Sequence, residues 1–233
     1  MATNHTDLIR NSAMIAFKGR KHILSNFYPC SIFYKGRWFN CVEQVYQWEK
    51  ATFHKHVDIV EGILMLKNPY EQKSVTKQIK VSEEWIEKRV YYMKQILQAK
   101  LKCVPEYKQL LLNSKGVIVE AVVGNYFWSC GLSKSDVYKE SDWTGQNMLG
   151  KLHMELREEL QTTHSIITAV QNQLQNKLQC EPHCGIEHVS VDMDNVTVTV
   201  YAKHLKKAYA FTDGFSIPRK VVRVIIGTTC HNI

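Results

Sequence analysis

The chain has 233 residues, of which 45% are hydrophobic and 22% are charged, with 11 Gly and 5 Pro. These fractions are typical of a globular protein and exclude collagen-like, low-complexity and wholly disordered chains. The apolar runs are far shorter than the roughly 20 residues that a membrane-spanning helix needs, so we expect no membrane contact.

Charge and cysteine content narrow the environment and the partners. Lysine and arginine total 30 against 22 acidic residues, which gives a formal net charge of +8. Such an excess favours phosphorylated ligands, nucleotides or nucleic acid, although it also serves solubility alone. Residues 1–7 show no basic patch followed by an apolar core, so we expect no secretory signal and a cytoplasmic protein, with a nuclear location left open. The 7 cysteines lack disulfide spacing and are expected to pack as small apolar groups.

Short strands are predicted at the start of the chain. Residues 14–17 form a first strand, and residues 30–34 and 38–39 flank Lys35-Gly36, a pair typical of a hairpin turn. We therefore expect an antiparallel edge at the beginning of the fold.

Three helix starts follow the hairpin. Asn40, with Glu43 three residues later, is the pattern of a capping box and predicts a helix over about 41–53. Asn68-Pro69 places Pro at a first helical position. Ser82 opens a longer helix whose apolar residues recur every three or four positions: Ile86, Val90, Met93, Leu97 and Leu101.

The remaining predicted elements reach the end of the chain. Pro105 restarts a short helix, residues 117–123 form a strand, and a last helical stripe ends the first unit near Gln161, formed by Leu149, Leu152, Leu156 and Leu160. Residues 165–179 are expected to be helical. Strands are predicted at 189–191, 196–201 and 221–226, with a tight turn at Asp194-Asn195.

The helix that follows Asn40 carries the first candidate site. Glu43, Gln47 and Lys50 are four and three residues apart and so share one face, with Tyr46 beside them. A carboxylate, an amide and an ammonium group on one face can bind and act on a polar ligand. The same spacing allows Glu43 to complete the capping box and Lys50 to be solvated.

Aromatic side chains give two further candidates. Trp85 lies off the Ile86 stripe, where a tryptophan either packs against a loop or stacks on a ligand ring. The segment Asn125-Tyr126-Phe127-Trp128 follows a strand, where aromatic residues either join the core or hold a planar ligand.

Motifs for anions and metals give one candidate. Residues 145–150 (GQNMLG) begin a helix, and free backbone N–H groups together with the helix dipole at such a start favour a phosphate. Cys180, His183, Cys184 and His188 match no standard zinc spacing and are interpreted as packing residues, so no metal site is predicted. The chain has no P-loop and no dinucleotide-type glycine motif.

Taken in order, four of these segments resemble the NADAR family. They are residues 24–29 (LSNFYP), 42–47 (VEQVYQ) with Lys50, 127–128 (FW) and 145–150 (GQNMLG). The resemblance spans about residues 15–160 and implies an α+β fold. That family includes N-glycosidases that act on ribosylated pyrimidine intermediates of riboflavin biosynthesis, and relatives that remove ADP-ribose from guanine bases of nucleic acid.

The resemblance assigns roles residue by residue. It implies that Glu43 is the catalytic carboxylate and Trp85 an active-site tryptophan, with Asn125 at a further catalytic position. It implies substrate binding by Asn26, Phe27, Tyr46, Gln47, Lys50, Trp128, Gly145 and Asn147. Breaking a C–N glycosidic bond builds positive charge on the sugar, which a carboxylate stabilises. Trp85 and Trp128 would stack on the base or ribose, and Lys50 with the helix start at Gly145 would bind the phosphate.

The sequence departs from the family pattern in three places. Gln44 stands where a His is common after the catalytic Glu. Asn125, Ser129 and Cys130 stand in the segment where the family has an Asp before an aromatic pair and a glycine, and an amide neither acts as a base nor neutralises a cation as a carboxylate does. Thr76 replaces a glycine and is expected to narrow or reshape the phosphate end of the pocket.

We therefore predict an α+β protein, with a mostly helical domain around a small sheet over 1–164 and a small α+β extension of unknown role over 165–233. The expected function is hydrolysis of a ribose–base bond without a cofactor, on a ribosylamino-pyrimidine phosphate or on ADP-ribosylated guanine. One alternative is a catalytically inactive module that binds ADP-ribose or a nucleotide, prompted by Asn125. Another is a nucleic-acid-bound protein whose residues 165–233 deliver the first unit to its target.

Overall fold

The structure is a computed structural model that describes residues 14–138, 140–180, 186–192, 197–202, 222–226 and 229–232. The chain divides into two compact units between Arg157 and Glu158. It combines helices with small sheets, and the predicted α+β class is confirmed. Within the described ranges, no helix combines the length and the apolar character that crossing a bilayer requires.

Two pairs of short strands belong to the first unit. β1 (Met14–Phe17) pairs in parallel with β4 (Val117–Glu120), and β2 (Ile32–Tyr34) forms an antiparallel hairpin with β3 (Arg37–Phe39). The predicted hairpin turn is confirmed, because Lys35 and Gly36 both have the positive φ values, 47° and 78°, that a type I′ turn requires. The expected antiparallel edge is limited to this hairpin, since the partner of β1 lies far along the chain.

Helices supply most of the first unit. In chain order the structure has α1 (Val42–Phe53), α2 (Val57–Met65), α3 (Pro69–Val75), α4 (Glu83–Cys103), α5 (Pro105–Asn113) and α6 (Met148–Cys180), with a 3₁₀ turn at Glu140–Asp142. The predicted starts at Asn68 and Ser82 are confirmed, because each side chain accepts a hydrogen bond from a backbone N–H group of its helix. The sequence pattern missed α2, which begins after His56 without a capping side chain.

The predicted stripe of α4 is confirmed at Met93 and Leu97, which are buried, but it is wrong at the start of the helix. Ile86 is exposed, and the buried positions of this helix are Trp85, Met93, Ile96, Leu97 and Lys100. The helix packs on α1 and β2. Because α1 presents aromatic side chains to the start of α4, the buried position there is a tryptophan rather than an aliphatic residue.

Two predicted boundaries are also wrong. α6 is one continuous helix, where separate helices were predicted up to Gln161 and over 165–179. No glycine or proline interrupts the sequence between 151 and 180. β4 ends at Glu120 instead of 123, because the Ser129 hydroxyl, rather than a strand partner, accepts the N–H of Val122 at 2.8 Å.

The second unit contains a four-stranded sheet. Its strands lie in the order β5 (Ile186–Asp192), β6 (Thr197–Ala202), β7 (Val222–Ile226) and β8 (Thr229–Asn232). β6 and β7 are parallel and the outer pairs are antiparallel. The first three strands were predicted and β8 was missed. The predicted Asp194-Asn195 turn, the metal-ligand candidates His183 and Cys184, and residues 1–7 lie outside the described residues.

Candidate active site

The first unit contains a cavity of about 620 Å³. Four main segments line it: residues 18–27, the first turns of α1, the helix α3, and the segment from Glu120 to Trp128. Of the predicted site residues, the structure brings together Asn26, Phe27, Glu43, Tyr46, Gln47, Asn125 and Trp128. The other predicted residues, Lys50, Trp85, Gly145 and Asn147, do not line this cavity.

Glu43 is free of the backbone role that the sequence allowed it. Gln44 takes that role, because its Oε1 accepts the Asn40 N–H at 2.7 Å and its Nε2 donates to the carbonyls of Ile63 and Leu66. The helix cap itself is Cys41, not Asn40. The capping-box interpretation of Glu43 is therefore wrong, and its side chain lies at the cavity with 5% exposure.

Gln47 orients the Glu43 carboxylate. The Gln47 Nε2 donates to Glu43 Oε1 at 2.7 Å, one helical turn away. The Gln47 Oε1 in turn accepts the hydroxyl of Thr76, which fixes which end of the amide faces Glu43. Thr76 is 1% exposed and does not line the cavity, so of the two expected effects, narrowing or reshaping the pocket, the narrowing is wrong. Its hydroxyl holds Gln47 instead.

Two carboxyl groups line the same cavity. Burial raises the pKa of Glu43, while Lys73, the Gln47 hydrogen bond and Lys50 act to lower it. Burial, with a smaller contribution from the charge of Glu43, raises the pKa of Glu120 to about 7, and Lys73 opposes this shift. Glu120 is a site residue that was not predicted from the sequence. The sequence feature that could have pointed to it is its position as the single charged residue in an otherwise apolar predicted strand.

Aromatic rings form part of the wall. Tyr46 and Trp128 meet edge to face, with ring centroids 5.6 Å apart. Asn125 holds the Trp128 backbone, since its Oδ1 accepts the Trp128 N–H at 3.2 Å. Trp85 contacts the other side of this group, 5.6 Å from Tyr46, and is 2% exposed within a cluster that includes Phe53. The role assigned to Trp85 by resemblance stays a prediction.

The expected phosphate site at the start of α6 is wrong. The N–H groups of residues 145–149 all donate to backbone carbonyls of residues 126–130, at 2.8 to 3.1 Å. These donors are therefore unavailable to an anion. Gly145 is needed for this close approach, because a Cβ there would lie 2.3 Å from the Ser129 carbonyl oxygen. Asn147 is equally structural: its amide bonds the Ile118 carbonyl and the Glu120 N–H of β4.

Positive charge reaches the cavity from residues that the sequence analysis missed. Lys50 donates to the Thr76 carbonyl at 3.0 Å and lies outside the cavity lining. The lining cations are Lys18, Arg20, Lys21 and Lys73, whose side chains are exposed. The sequence feature that could have predicted these cations is KGRK at 18–21, which places three positive charges around a glycine directly after β1.

Buried polar groups hold the loop that carries Asn26. The Lys100 ammonium donates to the Ile23 carbonyl, and burial lowers its pKa to about 8. His153 bonds the Leu24 carbonyl at 2.9 Å and the Tyr107 hydroxyl at 2.8 Å, and burial lowers its pKa to about 3. A neutral His153 fits both bonds, with one ring nitrogen donating and the other accepting.

These features define a class of protein: an α+β domain in which two carboxyl groups, one buried and one half-buried, share a cavity with exposed cations at its edge. The NADAR domain matches residues 16–161 of this chain. The chain belongs to the NADAR family, and the resemblance predicted from the four sequence segments is confirmed.

Named relatives support this membership. The chain is 28% identical over 203 residues to protein irg-1 of Caenorhabditis elegans, covering 78% of this chain and 95% of that protein. It is 30% identical over 141 residues to a riboflavin biosynthesis protein of Vibrio vulnificus (strain YJ016), covering 59% of this chain and 35% of that protein. The NMR structure of the E. coli protein YbiA matches with a TM-score of 0.52 at 25% identity, over 63% of this chain and 84% of that chain.

Proposed function

We propose that this protein is an N-glycosidase that hydrolyses the bond between a ribose anomeric carbon and a base nitrogen. Its substrate is a ribosylamino-pyrimidine phosphate or an ADP-ribosylated guanine. The observation that carries the proposal is the Glu43 carboxyl, which lines the cavity, makes no capping bond to the backbone within the described part of the chain, and is oriented by Gln47.

The chemistry of this bond fits a buried carboxylate. As the bond breaks, positive charge builds on the ribose ring, and a carboxylate beside the anomeric carbon stabilises that charge or activates the attacking water. In a buried site this stabilisation is stronger than in water, because the local dielectric is low. The Gln47 hydrogen bond and the Lys73 charge favour the ionised form that this role requires.

The cavity walls suit the rest of the substrate. Tyr46 and Trp128 offer ring faces and edges against which a base or ribose can pack. Lys18, Arg20 and Lys21 lie at its exposed edge and attract phosphate. One relative is named as a riboflavin biosynthesis protein, which supports a substrate of this kind.

A second candidate function is a catalytically inactive module that binds ADP-ribose or a related nucleotide. The observation in its favour is Asn125, which lines the cavity and presents an amide where the resemblance to the family implies an aspartate. In that case calorimetry detects tight ADP-ribose binding while no base is released. Replacing Asn125 with Asp then raises the activity.

Base release tests the first function. The full chain is incubated with each of the two substrates, and the free base is measured by chromatography. Glu43→Gln is expected to lower kcat by about 10²- to 10⁴-fold, while Glu61→Gln, the same change at an exposed position outside the cavity, leaves it unchanged. Unaltered turnover in Glu43→Gln contradicts the assigned role.

A further inference from the structure

The Glu120 carboxyl has no part in the reaction proposed above, yet hydrogen bonds hold the backbone of this residue on both sides. It is the last residue of β4, and its N–H donates to the Asn147 side chain at 3.0 Å. Its carbonyl accepts the Cys130 N–H at 3.0 Å and the Ser129 hydroxyl at 2.6 Å. The backbone from which this side chain reaches the cavity is therefore held on both sides.

The two carboxyl groups of the cavity have different surroundings. Glu43 Oε1 accepts a hydrogen bond from Gln47. Glu120 Oε2 is inaccessible to solvent and accepts no hydrogen bond from any residue that the structure describes. The charged groups that act on Glu120 are Glu43 of α1 and Lys73 of α3, with the cations of residues 18–21 also on the cavity lining.

The presence of a hydrogen-bond donor at Glu43, and its absence at Glu120 Oε2 among the described residues, bears on which carboxyl group carries a proton. A buried carboxylate oxygen without a donor is costly, and two carboxylates in one cavity disfavour simultaneous ionisation. Glu43 has the amide donor and two lysines as stabilising neighbours, whereas Glu120 has Lys73 alone. The ionised form is therefore better stabilised at Glu43 than at Glu120, and we expect the shared proton on Glu120.

We propose that Glu120 is a second catalytic residue, the general acid that protonates the base nitrogen as it leaves the ribose. This inference rests on the proposed N-glycosidase function. The water oxygen bonds to the anomeric carbon, and the C–N bond breaks with its electron pair remaining on the base nitrogen. That nitrogen takes the proton of Glu120, and Glu43 takes the proton released by the water. Exchange with solvent then returns each carboxyl group to its starting state.

The assignment also accounts for the amide at position 125. Asn125 Oδ1 accepts the Trp128 N–H, a bond that an amide oxygen makes as readily as a carboxylate oxygen. Glu120 lines the same cavity five residues earlier and supplies the ionisable group that Asn125 lacks. Turnover therefore does not require an aspartate at 125.

The test compares the pH dependence of kcat for the full chain and for Glu120→Gln. In the wild type, kcat falls as the pH rises through about 7, where the acid loses its proton. In Glu120→Gln we expect kcat at pH 6 to drop at least about 100-fold and its decline at alkaline pH to disappear. The affinity of this variant for ADP-ribose should stay within about threefold of the wild-type affinity. Glu120→Asp retains a titrating acid and therefore keeps an alkaline decline, at intermediate kcat.

The outcomes separate the two proposals. If the wild type releases base and Glu120→Gln keeps full kcat, or loses kcat but retains the alkaline decline, the role of Glu120 is overturned while the N-glycosidase stands. If the wild type releases base from neither substrate, both proposals fall. Should Glu120→Gln fail to bind ADP-ribose, Glu120→Asp decides: a kcat profile without an alkaline decline overturns the assignment, and a retained decline supports it.

Discussion

Glu43 and Gln44 are neighbours on α1 with different roles: the Gln44 side chain bonds the backbone, and the Glu43 side chain faces the cavity. Gln44 bonds three backbone groups and ties the start of α1 to the end of α2. The Glu43 side chain bonds no backbone group of the residues that the structure describes, and it lines the cavity beside Gln47. Position 44, where the family often has His and this chain has Gln, is therefore structural. The Gln44 amide suits it because the surrounding backbone offers both an N–H donor and carbonyl acceptors, and an amide can bond both kinds of group.

At the residue scale, the buried carboxyl of Glu120 should cost stability at high pH. Its pKa is about 7 in the folded chain against 4.5 as the ordinary value. Between these values the folded state binds more protons than the unfolded state, so stability falls as the pH rises from about 4.5 to 7 and stays low above that. Glu120→Gln removes this cost and should raise the free energy of unfolding at pH 8 by about 1–3 kcal/mol.

Urea unfolding at pH 5 and pH 8 measures this effect. The stabilisation by Glu120→Gln is expected to be small at pH 5 and full at pH 8, since most of the penalty appears between these values. Glu61→Gln, at an exposed position, should change stability little at either pH. An equal effect of Glu120→Gln at both pH values would show that its carboxyl group does not titrate as described.

At the element scale, the cavity depends on how the segment 126–130 lies against the start of α6. Five successive N–H groups of residues 145–149 bond carbonyls of that segment. This pairing occupies the helix donors and at the same time fixes Trp128 at the cavity wall. The NADAR-like motif at 145–150 therefore builds the wall instead of binding the ligand.

A methyl group at Gly145 should disrupt this pairing. Its Cβ would lie 2.3 Å from the Ser129 carbonyl oxygen and 2.9 Å from the Cys130 carbonyl carbon, so the segment must move. Gly145→Ala is expected to lower the free energy of unfolding by about 1–3 kcal/mol and to weaken ADP-ribose binding, because Trp128 shifts with the segment.

Gly62 provides the matched control for this substitution. It lies within α2, and a Cβ there meets no atom within 4 Å. Gly62→Ala is expected to stabilise the protein by about 0.5–1 kcal/mol through helix propensity and to leave binding unchanged. Urea unfolding and calorimetry compare the two variants, and equal effects would contradict the close approach at Gly145.

Features of the helices and turns that depend on neighbouring residues could be predicted from the sequence, whereas features that depend on distant segments could not. Local patterns identified the Lys35-Gly36 turn and the caps at Asn68 and Ser82, because neighbouring residues determine these features. The expected phosphate site at Gly145 failed, since its N–H donors are occupied by a segment that is distant in sequence. Likewise, periodicity located α4 and its buried Met93 and Leu97 but not the buried residue at its start, which the aromatic side chains of α1 select. Glu120 was missed because only the fold places it beside Glu43.

At the scale of the whole molecule, the net charge of +8 is less informative than where the cations lie. Lys18, Arg20 and Lys21 form one cluster at the cavity, and their charges should attract phosphates over a distance comparable to the screening length of the buffer. The double variant Lys18→Gln/Lys21→Gln is expected to weaken ADP-ribose binding about fivefold to tenfold at low salt, with a smaller loss at high salt.

A second double variant separates local from overall charge. Lys77→Gln/Lys102→Gln also removes two positive charges, from exposed positions outside the cavity lining. Calorimetry at low and high salt should show nearly unchanged affinity for this variant. Similar losses in both double variants would mean that net charge alone, rather than the cluster at 18–21, attracts the ligand.

The position of the ribose relative to residue 43 is the decisive test of the N-glycosidase mechanism. A crystal structure of Glu43→Gln with ADP-ribose bound measures the distance from the residue 43 side chain to the anomeric carbon of the terminal ribose. The N-glycosidase mechanism predicts contact between these groups, with the diphosphate near Lys18 and Lys21. A terminal ribose bound outside the cavity, or with its anomeric carbon facing away from residue 43, would contradict it.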